Sequence, residues 1–233
     1  MVDETGSTNA DLLRAVGEGA PDRSVLITRH QTAGRGRLDR RWDAPAGANL
    51  LMSVLFRADG ADPHRLIQRL GVAARAVAAA AGVSAGLKWP NDLLVGTEKL
   101  AGILAEGRAD PAGGLAVVVG IGMNVNWAPP GAARLAPGAV DAPPLEPLDP
   151  LRVAAAVLEA FDERDDDVAL EGEYREHLAT LGRRVRVELP SPDGEQRVVE
   201  GRAVDVDAAG HLVVLDDCAI THRFAAGDVV HVR

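Results

Sequence analysis

The sequence predicts an α+β fold with a mixed or largely antiparallel sheet, followed by a small SH3-like β-barrel. In the first three quarters of the 233-residue chain, runs of strand-like residues are interrupted by a few amphipathic helices, which is typical of α+β domains. From Gly182 onward the sequence pattern changes to short stretches of alternating apolar and polar residues separated by turns, which is typical of the strands of small barrels. We therefore predict two domains, residues 1–181 and 182–233.

Caps and apolar spacing predict the helices. Ser7 or Thr8 can cap a first helix, and Asp62-Pro63 pairs a cap with proline at the first helical position. Apolar residues at helical spacing extend the second helix to Gly82. The predicted helices span 10–18, 62–82, 150–164 and 168–181.

Short β-branched and apolar runs between Pro, Gly and charged turns predict the strands. Segment 128–150 contains seven of the 14 prolines and is predicted to be a loop or linker. The turns 192–194 and 208–210 separate strands of the second domain. The predicted strands are 24–29, 48–56, 87–89, 92–95, 100–105, 115–125, 184–189, 198–206, 212–215 and 229–232.

The composition excludes several classes of protein. A net charge of −9 argues against broad electrostatic binding to nucleic acid or anionic membrane. The single Cys218 rules out an internal disulfide framework, and with no membrane-length apolar run or signal peptide the cytoplasm is the expected location. Of 25 basic residues only Lys88 and Lys99 are lysine, which makes these two candidates for tasks that need a compact ammonium.

Segment 29–41 concentrates positive charge, with five arginines against the single acid Asp39. Its glycines permit close backbone approach to a ligand, and its guanidinium groups suit phosphate and carboxylate. We expect this segment to be mobile when empty and to order over a bound anion. Composition alone favours a solvated charged loop rather than an anion-binding site. A contact to single-stranded RNA is a further alternative.

Several motifs, in order, resemble those of the biotin protein ligases, and the resemblance runs nearly end to end. It implies a class II synthetase-like catalytic domain of the biotin/lipoate ligase type and a C-terminal SH3-like barrel. The stretch from Ala226 to Arg233 is similar to the end of that barrel. The motifs are Gly6-Ser7-Thr8-Asn9, Gly34-Arg35-Gly36-Arg37 with Arg40 and Trp42, Lys88-Trp89-Pro90-Asn91-Asp92, 99–104 with Glu106, and 120–126.

The resemblance implies a role for each matching residue. Lys99 would bridge the biotin carboxylate and the α-phosphate, so that Lys99 and Arg37 are the expected catalytic residues. The expected biotin-binding residues are Ser7, Thr8, Asn9, Gln31, Gly34, Arg35, Gly36, Arg37, Lys99, Gly102, Leu104 and Gly120. The expected ATP-binding residues are Arg37, Arg40, Trp42, Lys88, Asn91, Asp92 and Asn124, with Asp92 also a candidate Mg²⁺ ligand. Taken locally, Asn91-Asp92 also fits a plain turn, and Gly120-Ile121-Gly122 fits a strand bulge.

The implied activity is ATP-dependent formation of biotinyl-5′-AMP and transfer of biotin to a lysine of the biotin carboxyl carrier domain of acyl-CoA carboxylases. The implied small molecules are ATP, biotin and Mg²⁺, and the expected protein is a monomer or weak homodimer. It is expected to bind no DNA, since no helix-turn-helix region precedes the motifs, and no membrane. The second domain would help to place the carrier or ATP, or would only stabilise the fold.

Two rival functions stay open, a lipoate or octanoate protein ligase and a non-enzymatic protein that binds RNA or a carrier domain. The sequence also departs from the family pattern in two places. Asp39 stands where glycine is usual and could pair with Arg35 or Arg41. The strand that usually leads into Ser7 is expected to be short or missing.

Overall fold

The computed structural model describes residues 1–38, 40–57, 62–138, 143–189 and 197–232. Within them, four helices accompany two sheets. The elements, in chain order, are β1 (Val2–Thr5), α1 (Thr8–Gly17), β2 (Val25–Gln31), β3 (Leu50–Phe56), α2 (Pro63–Ala80), β4 (Gly86–Lys88), β5 (Asp92–Val95), β6 (Glu98–Ala109), β7 (Leu115–Met123), α3 (Pro150–Asp162), α4 (Asp167–Glu176), β8 (Arg184–Leu189), β9 (Arg197–Val206), β10 (Leu212–Leu215), β11 (Thr221–Phe224) and β12 (Asp228–His231).

The larger sheet has seven strands in the order β1-β2-β3-β7-β6-β5-β4. All its pairings are antiparallel except β1 with β2, so the predicted mixed sheet of an α+β fold is confirmed. Strand β1 was not predicted as an element. It is a short strand at the sheet edge, where three of its four residues are exposed and two, Asp3 and Glu4, are charged.

The sheet is covered on both faces. Helices α2 and α3 pack on one face over the main core, which includes Leu70, Val119 and Phe161. Helix α1 covers the other face, where Leu12 and Val16 contact a smaller apolar cluster. The side chains of Ser7 and Asp62 accept backbone N–H bonds at the starts of α1 and α2, as predicted.

Helix α4 ends at Glu176, five residues earlier than predicted. The following residues join β4 instead, since Leu87 N–H donates to the His177 carbonyl and Ala179 N–H donates to the Leu87 carbonyl. Tertiary pairing therefore overrides the helical spacing of residues 177–181.

The second sheet has five antiparallel strands in the order β11-β10-β9-β8-β12, which agrees with the predicted SH3-like domain. Strand β11 was missed because its sequence, Thr-His-Arg-Phe, has a single strongly apolar residue. The predicted turn 192–194 lies outside the described residues. The main core continues into this sheet through Val185 and Leu212, so the two parts pack against each other.

The proline-rich segment 128–150 forms no helix or strand between Ala128 and Gly138 or between Pro143 and Asp149, as predicted for a loop. It is nonetheless anchored, since Leu135 is buried and its N–H donates to the Asn124 carbonyl over 2.9 Å. In the described part of the chain, no helix combines the length and apolar character required to cross a membrane.

Candidate functional site

A cavity of about 250 Å³ lies between the first helix, one face of the larger sheet and the start of β12. Every predicted site residue except Gly34 lines it. The predicted residues in its wall are Ser7, Thr8, Asn9, Gln31, Arg35, Gly36, Arg37, Arg40, Trp42, Lys88, Asn91, Asp92, Lys99, Gly102, Leu104, Gly120 and Asn124.

One end of the cavity is a chain of buried hydrogen bonds. The backbone N–H of Thr8 donates to Gln31 Oε1 over 2.8 Å, and the Thr8 hydroxyl lies 2.7 Å from Ser53 Oγ. Ser53 donates to Asn9 Oδ1 over 2.6 Å. Asn9 Nδ2 donates in turn to the Leu104 carbonyl and, over 2.8 Å, to Glu106 Oε2. Such a chain suits a small ring that carries polar groups.

The Gly- and Arg-rich segment forms a hairpin from Gly34 to Trp42. Trp42 N–H donates to the Gly34 carbonyl over 3.0 Å, and Gly36 N–H donates to the Arg40 carbonyl over 2.6 Å. Gly34 is buried at the base of this hairpin, where a Cβ would collide with the Trp42 carbonyl oxygen. Glycine at 34 therefore serves the turn of the backbone instead of lining the cavity.

The C-terminal domain reaches this hairpin. Arg37 donates to the Gly227 carbonyl over 3.1 Å, and Arg40 forms an ion pair with the Asp228 carboxylate. Burial lowers the pKa of the Arg37 guanidinium below its usual value, while Asp228 and Asp92 oppose that shift. Arg37 stays cationic, because an arginine does not lose its proton in proteins. Asp39, with its predicted pairing to Arg35 or Arg41, lies outside the described residues.

The Trp42 indole lies against the sheet over two glycines that face each other on β6 and β7. Gly102 and Gly122 are register partners. A Cβ at Gly122 would come within 2.8 Å of three indole ring atoms, and one at Gly102 within 3.4 Å of a fourth. Trp42 Nε1 is buried without a hydrogen-bond partner, which leaves a donor for an acceptor atom of a ligand.

Lys99 and Asp92 form an ion pair in the wall, with Nζ 2.6 Å from Oδ1. Lys99 Nζ also lies 5.7 Å from the centre of the Trp42 ring, at the outer range of a cation–π contact. Among the described residues, no group of three or more His, Cys, Asp or Glu side chains could hold a metal ion. A metal here would depend on Asp92 together with oxygen atoms of a ligand.

The Lys88-Trp89-Pro90-Asn91-Asp92 motif places its residues in a turn at the cavity. Residues 89–91 form the turn between β4 and β5, with a cis bond before Pro90, and Asp92 begins β5. Asn91 accepts a hydrogen bond from Arg37 over 3.3 Å and donates to the Ile103 carbonyl over 2.6 Å. The local prediction of a turn is thus correct, and the turn lies at the site.

Two other local expectations change. Residues 120–122 show no bulge, because β7 keeps an uninterrupted register with both β3 and β6. The amide group of Asn124 lines the cavity but is engaged by the protein, since Nδ2 donates to the carbonyls of Lys99 and Ala133 and Oδ1 accepts from Asn49.

Sequence reasoning left Ser53, Gly122 and Asp228 outside the predicted site, although all three line the cavity. Gly122 and Asp228 belong to motifs that the sequence does reveal, so position within a motif was the available signal. Ser53 is fully buried in β3, whose other residues are all apolar. A single polar residue within an apolar strand was the only signal that the sequence offered.

Comparison with known proteins agrees with this geometry. Residues 5–126 match the sequence model of the Biotin/lipoate A/B protein ligase family, and residues 180–232 match that of the Biotin protein ligase C terminal domain. A biotin–[acetyl-CoA-carboxylase] ligase of Mycobacterium tuberculosis is 42% identical, in a match that covers 100% of this chain and 88% of that protein.

Two further relatives place the chain in a wider group. The bifunctional ligase/repressor BirA of Escherichia coli is 37% identical over 122 residues, which are 51% of this chain and 38% of that protein. A solved structure of the biotin protein ligase from Aquifex aeolicus in complex with biotin and ATP superposes with a TM-score of 0.74 at 22% identity, over 100% of this chain and 97% of that one, and supports the fold. Residues 5–126 match the family model, and a 42% identical relative matches the whole of this chain. The chain therefore belongs to the biotin/lipoate A/B protein ligase family, and within it to the biotin protein ligases.

Proposed function

We propose that this protein activates biotin with ATP to biotinyl-5′-AMP and transfers the biotinyl group to a lysine of a biotin carboxyl carrier domain of an acyl-CoA carboxylase. The carrying observation is that one cavity joins a hydrogen-bonding end to a cationic end. The first suits the ureido ring of biotin and the second suits phosphates. The name of the M. tuberculosis relative supports acetyl-CoA carboxylase as the destination.

In the first step, a biotin carboxylate oxygen attacks the α-phosphorus of ATP, and the bond to the bridging oxygen breaks to release pyrophosphate. Both reactants are anions, so fixed cations must offset their repulsion. Lys99 and Arg37 lie in the cavity wall and are our candidates for this role. Lys99 now neutralises Asp92, and we propose that the entering anions share its ammonium group.

Nucleotide binding is assigned to the cavity end formed by Arg37, Arg40, Trp42 and the turn at Asn91. One face of the half-buried Trp42 indole rests on the glycines of β6 and β7, and the opposite face would stack on adenine. Asp92 would hold Mg²⁺ together with ATP phosphates, a pattern usual for this ion, and the ion would supply positive charge to those phosphates. The Asp92 carboxylate at the cavity wall fits that role.

In the second step, the ε-amine of a carrier lysine attacks the acyl carbon of the mixed anhydride, AMP leaves, and the amine loses a proton. Water would destroy this anhydride, so closure of the cavity is needed between the steps. The hairpin 34–42 borders the cavity and is our candidate for the closing element. Its mobility stays a prediction, testable by protease cleavage with and without biotin and ATP.

The lipoate ligase alternative is less favoured. Residues 180–232 match a C-terminal domain named for biotin protein ligases, and the relative that matches the whole of this chain is named as a biotin ligase. Pyrophosphate exchange measured separately with biotin and with lipoate separates the two functions. Exchange driven by lipoate alone would overturn the proposal.

Incubation with biotin, Mg-ATP and a candidate carrier domain, followed by intact mass measurement, tests the whole reaction. We expect one biotinyl group per carrier domain, and none when the acceptor lysine is changed to arginine. A carrier of unchanged mass, with no ATP consumed, would favour the rival class of a non-enzymatic binding protein.

The role of Lys99 is tested by Lys99→Ala in biotin-dependent pyrophosphate exchange. Loss of a cation at the reacting phosphate should lower the exchange rate by about 100-fold or more. Arg108→Ala is a matched control, because Arg108 lies on the same strand outside the cavity and donates to the Leu13 carbonyl. Near-normal exchange by Lys99→Ala would refute its assigned role.

We further propose that the protein acts in the cytoplasm as a monomer or weak homodimer, without binding DNA or membrane. The net charge of −9 supports the last two points, since anionic surfaces repel an acidic protein. Sedimentation with and without biotin and ATP measures the oligomeric state.

A further inference from the structure

Glu106 belongs to a sequence motif but does not line the cavity, and the proposed reaction does not use it. It lies on β6, and its side chain is 25% exposed. Two donors converge on its carboxylate, Asn9 Nδ2 at 2.8 Å from Oε2 and Arg35 Nη2 at 3.1 Å from Oε1. One acidic side chain therefore contacts both the polar end of the cavity and the arginine hairpin.

The carboxylate and the Leu104 carbonyl together fix which way the hydrogen bonds of the polar end run. An ionised carboxylate and the Leu104 carbonyl can only accept, so the Asn9 amide must turn its NH₂ group toward them and its oxygen toward Ser53. Ser53 then gives its single hydrogen to Asn9, so the Thr8 hydroxyl faces two acceptors, Ser53 Oγ at 2.7 Å and Gln31 Oε1 at 3.1 Å, and donates to one of them. Thr8 thus donates to Ser53 or Gln31, Ser53 donates to Asn9, and Asn9 donates to Glu106.

This direction has a consequence for a ligand. With its hydrogen directed at Ser53 or Gln31, the Thr8 hydroxyl offers only lone pairs to the cavity, and Asn9 Oδ1 likewise only accepts. A cavity end with fixed acceptors favours a ring that presents N–H groups, as a ureido ring does. The three residues are at most 4% exposed, so water cannot readily replace a lost partner.

We propose that Glu106 is a positioning residue for biotin, which holds the Asn9 amide together with the Leu104 carbonyl and ties Arg35 of the hairpin to the head-group end. The inference rests on the proposed function. A glutamine cannot replace the acid fully, because its amide has one acceptor oxygen and Arg35 would face its NH₂ group. An alanine removes both contacts.

The test compares Glu106→Ala and Glu106→Gln with wild type in biotin-dependent pyrophosphate exchange. Loss of a charge-assisted hydrogen bond should raise the KM for biotin about tenfold in Glu106→Ala and less in Glu106→Gln, with kcat and the KM for ATP within about twofold. Trypsin should cleave after Arg35 faster in both variants, since the anchor of that side chain is weakened. Glu98→Ala, an exposed acid on the same strand, should change neither readout.

Each outcome bears on the proposal. An unchanged KM for biotin in folded Glu106→Ala overturns it, and so does an equal rise in both KM values. If Glu106→Ala does not fold, Glu106→Gln decides by the same criteria. Biotin titrated calorimetrically into wild type separates the two levels. If the wild-type protein does not bind biotin, the proposed function is overturned. If the wild-type protein binds biotin and the variants are unaffected, only the role of Glu106 is overturned.

Discussion

Replacing Gly122 by alanine should displace the Trp42 indole and weaken ATP binding without unfolding the protein. A Cβ at position 122 would lie 2.7 Å from Nε1 and 2.8 Å from Cδ2 of that indole. Comfortable contact needs about 3.5–4.0 Å, so the ring must move by about 1–1.5 Å. Strand β7 cannot yield instead, because it is hydrogen-bonded to a neighbour on each side.

The expected size follows from the proposed stacking of adenine on Trp42. Stacking of a base on an aromatic side chain contributes about 1–3 kcal/mol, so its loss should raise the KM for ATP by about 5-fold to about 150-fold. The KM for biotin should change less, since the hydrogen-bonding end of the cavity lies around Thr8 and Asn9. Biotin-dependent pyrophosphate exchange at varied ATP and at varied biotin measures both constants.

Gly107→Ala is the matched control. Gly107 lies on β6, beside β7 in the same sheet, and a Cβ there meets only the tip of the flexible, partly exposed Leu115 at 3.2 Å. Its kinetic constants and melting temperature should match those of wild type. A wild-type KM for ATP in folded Gly122→Ala would refute the assignment of Trp42 to the nucleotide. A marked fall in the melting temperature of Gly122→Ala would refute the claim of a local effect.

Two predictions concern stability. Arg57→Ala should lower the free energy of unfolding, measured in urea, by about 3 kcal/mol, because it leaves the Asp110 side chain, 5% exposed and paired at 2.6 Å, without its cation. The control Arg14→Ala, at an exposed ion pair, should lower it by under about 1 kcal/mol. Equal losses in the two variants would contradict the prediction. Burial lowers the pKa of His231, so below about pH 6.5 the unfolded chain gains a proton that the folded chain resists, and stability should fall with pH. Between about pH 7.5 and about pH 5.5, the melting temperature should fall less for His231→Gln than for wild type. An equal fall in both proteins would contradict the assignment to His231.

Local signals were sufficient for most of the fold. The caps at Ser7 and Asp62 and the proline-rich segment 128–150 each act within a few residues, so the sequence alone reveals them. The errors arose where partners distant in sequence decide. Residues 177–181 keep helical spacing but pair with β4, and β11 is a strand because β10 lies beside it.

The candidate site was predictable in membership but not in arrangement. Motif residues such as Lys99 and Arg37 reach the cavity as expected. In the structure Asp92 is paired with Lys99, and the Asn124 amide donates to backbone carbonyls. These contacts depend on the register of β5, β6 and β7 and on the fold of the loop that follows, which local sequence does not reveal. Gly34 shows the same limit, since only the closed hairpin reveals that its missing side chain makes room for the Trp42 carbonyl.

The contacts of the C-terminal domain bear on whether it only stabilises the fold. Gly227 and Asp228 contact Arg37 and Arg40 on the hairpin, and the Gly210 carbonyl accepts from the Trp89 indole over 2.9 Å. These contacts reach the two segments that carry the candidate ATP residues, the hairpin and the turn between β4 and β5. A domain that was only a stabilising appendage would need no carboxylate in the cavity wall, whereas Asp228 lies there and is paired with Arg40. Its position therefore favours a part for this domain in placing the nucleotide.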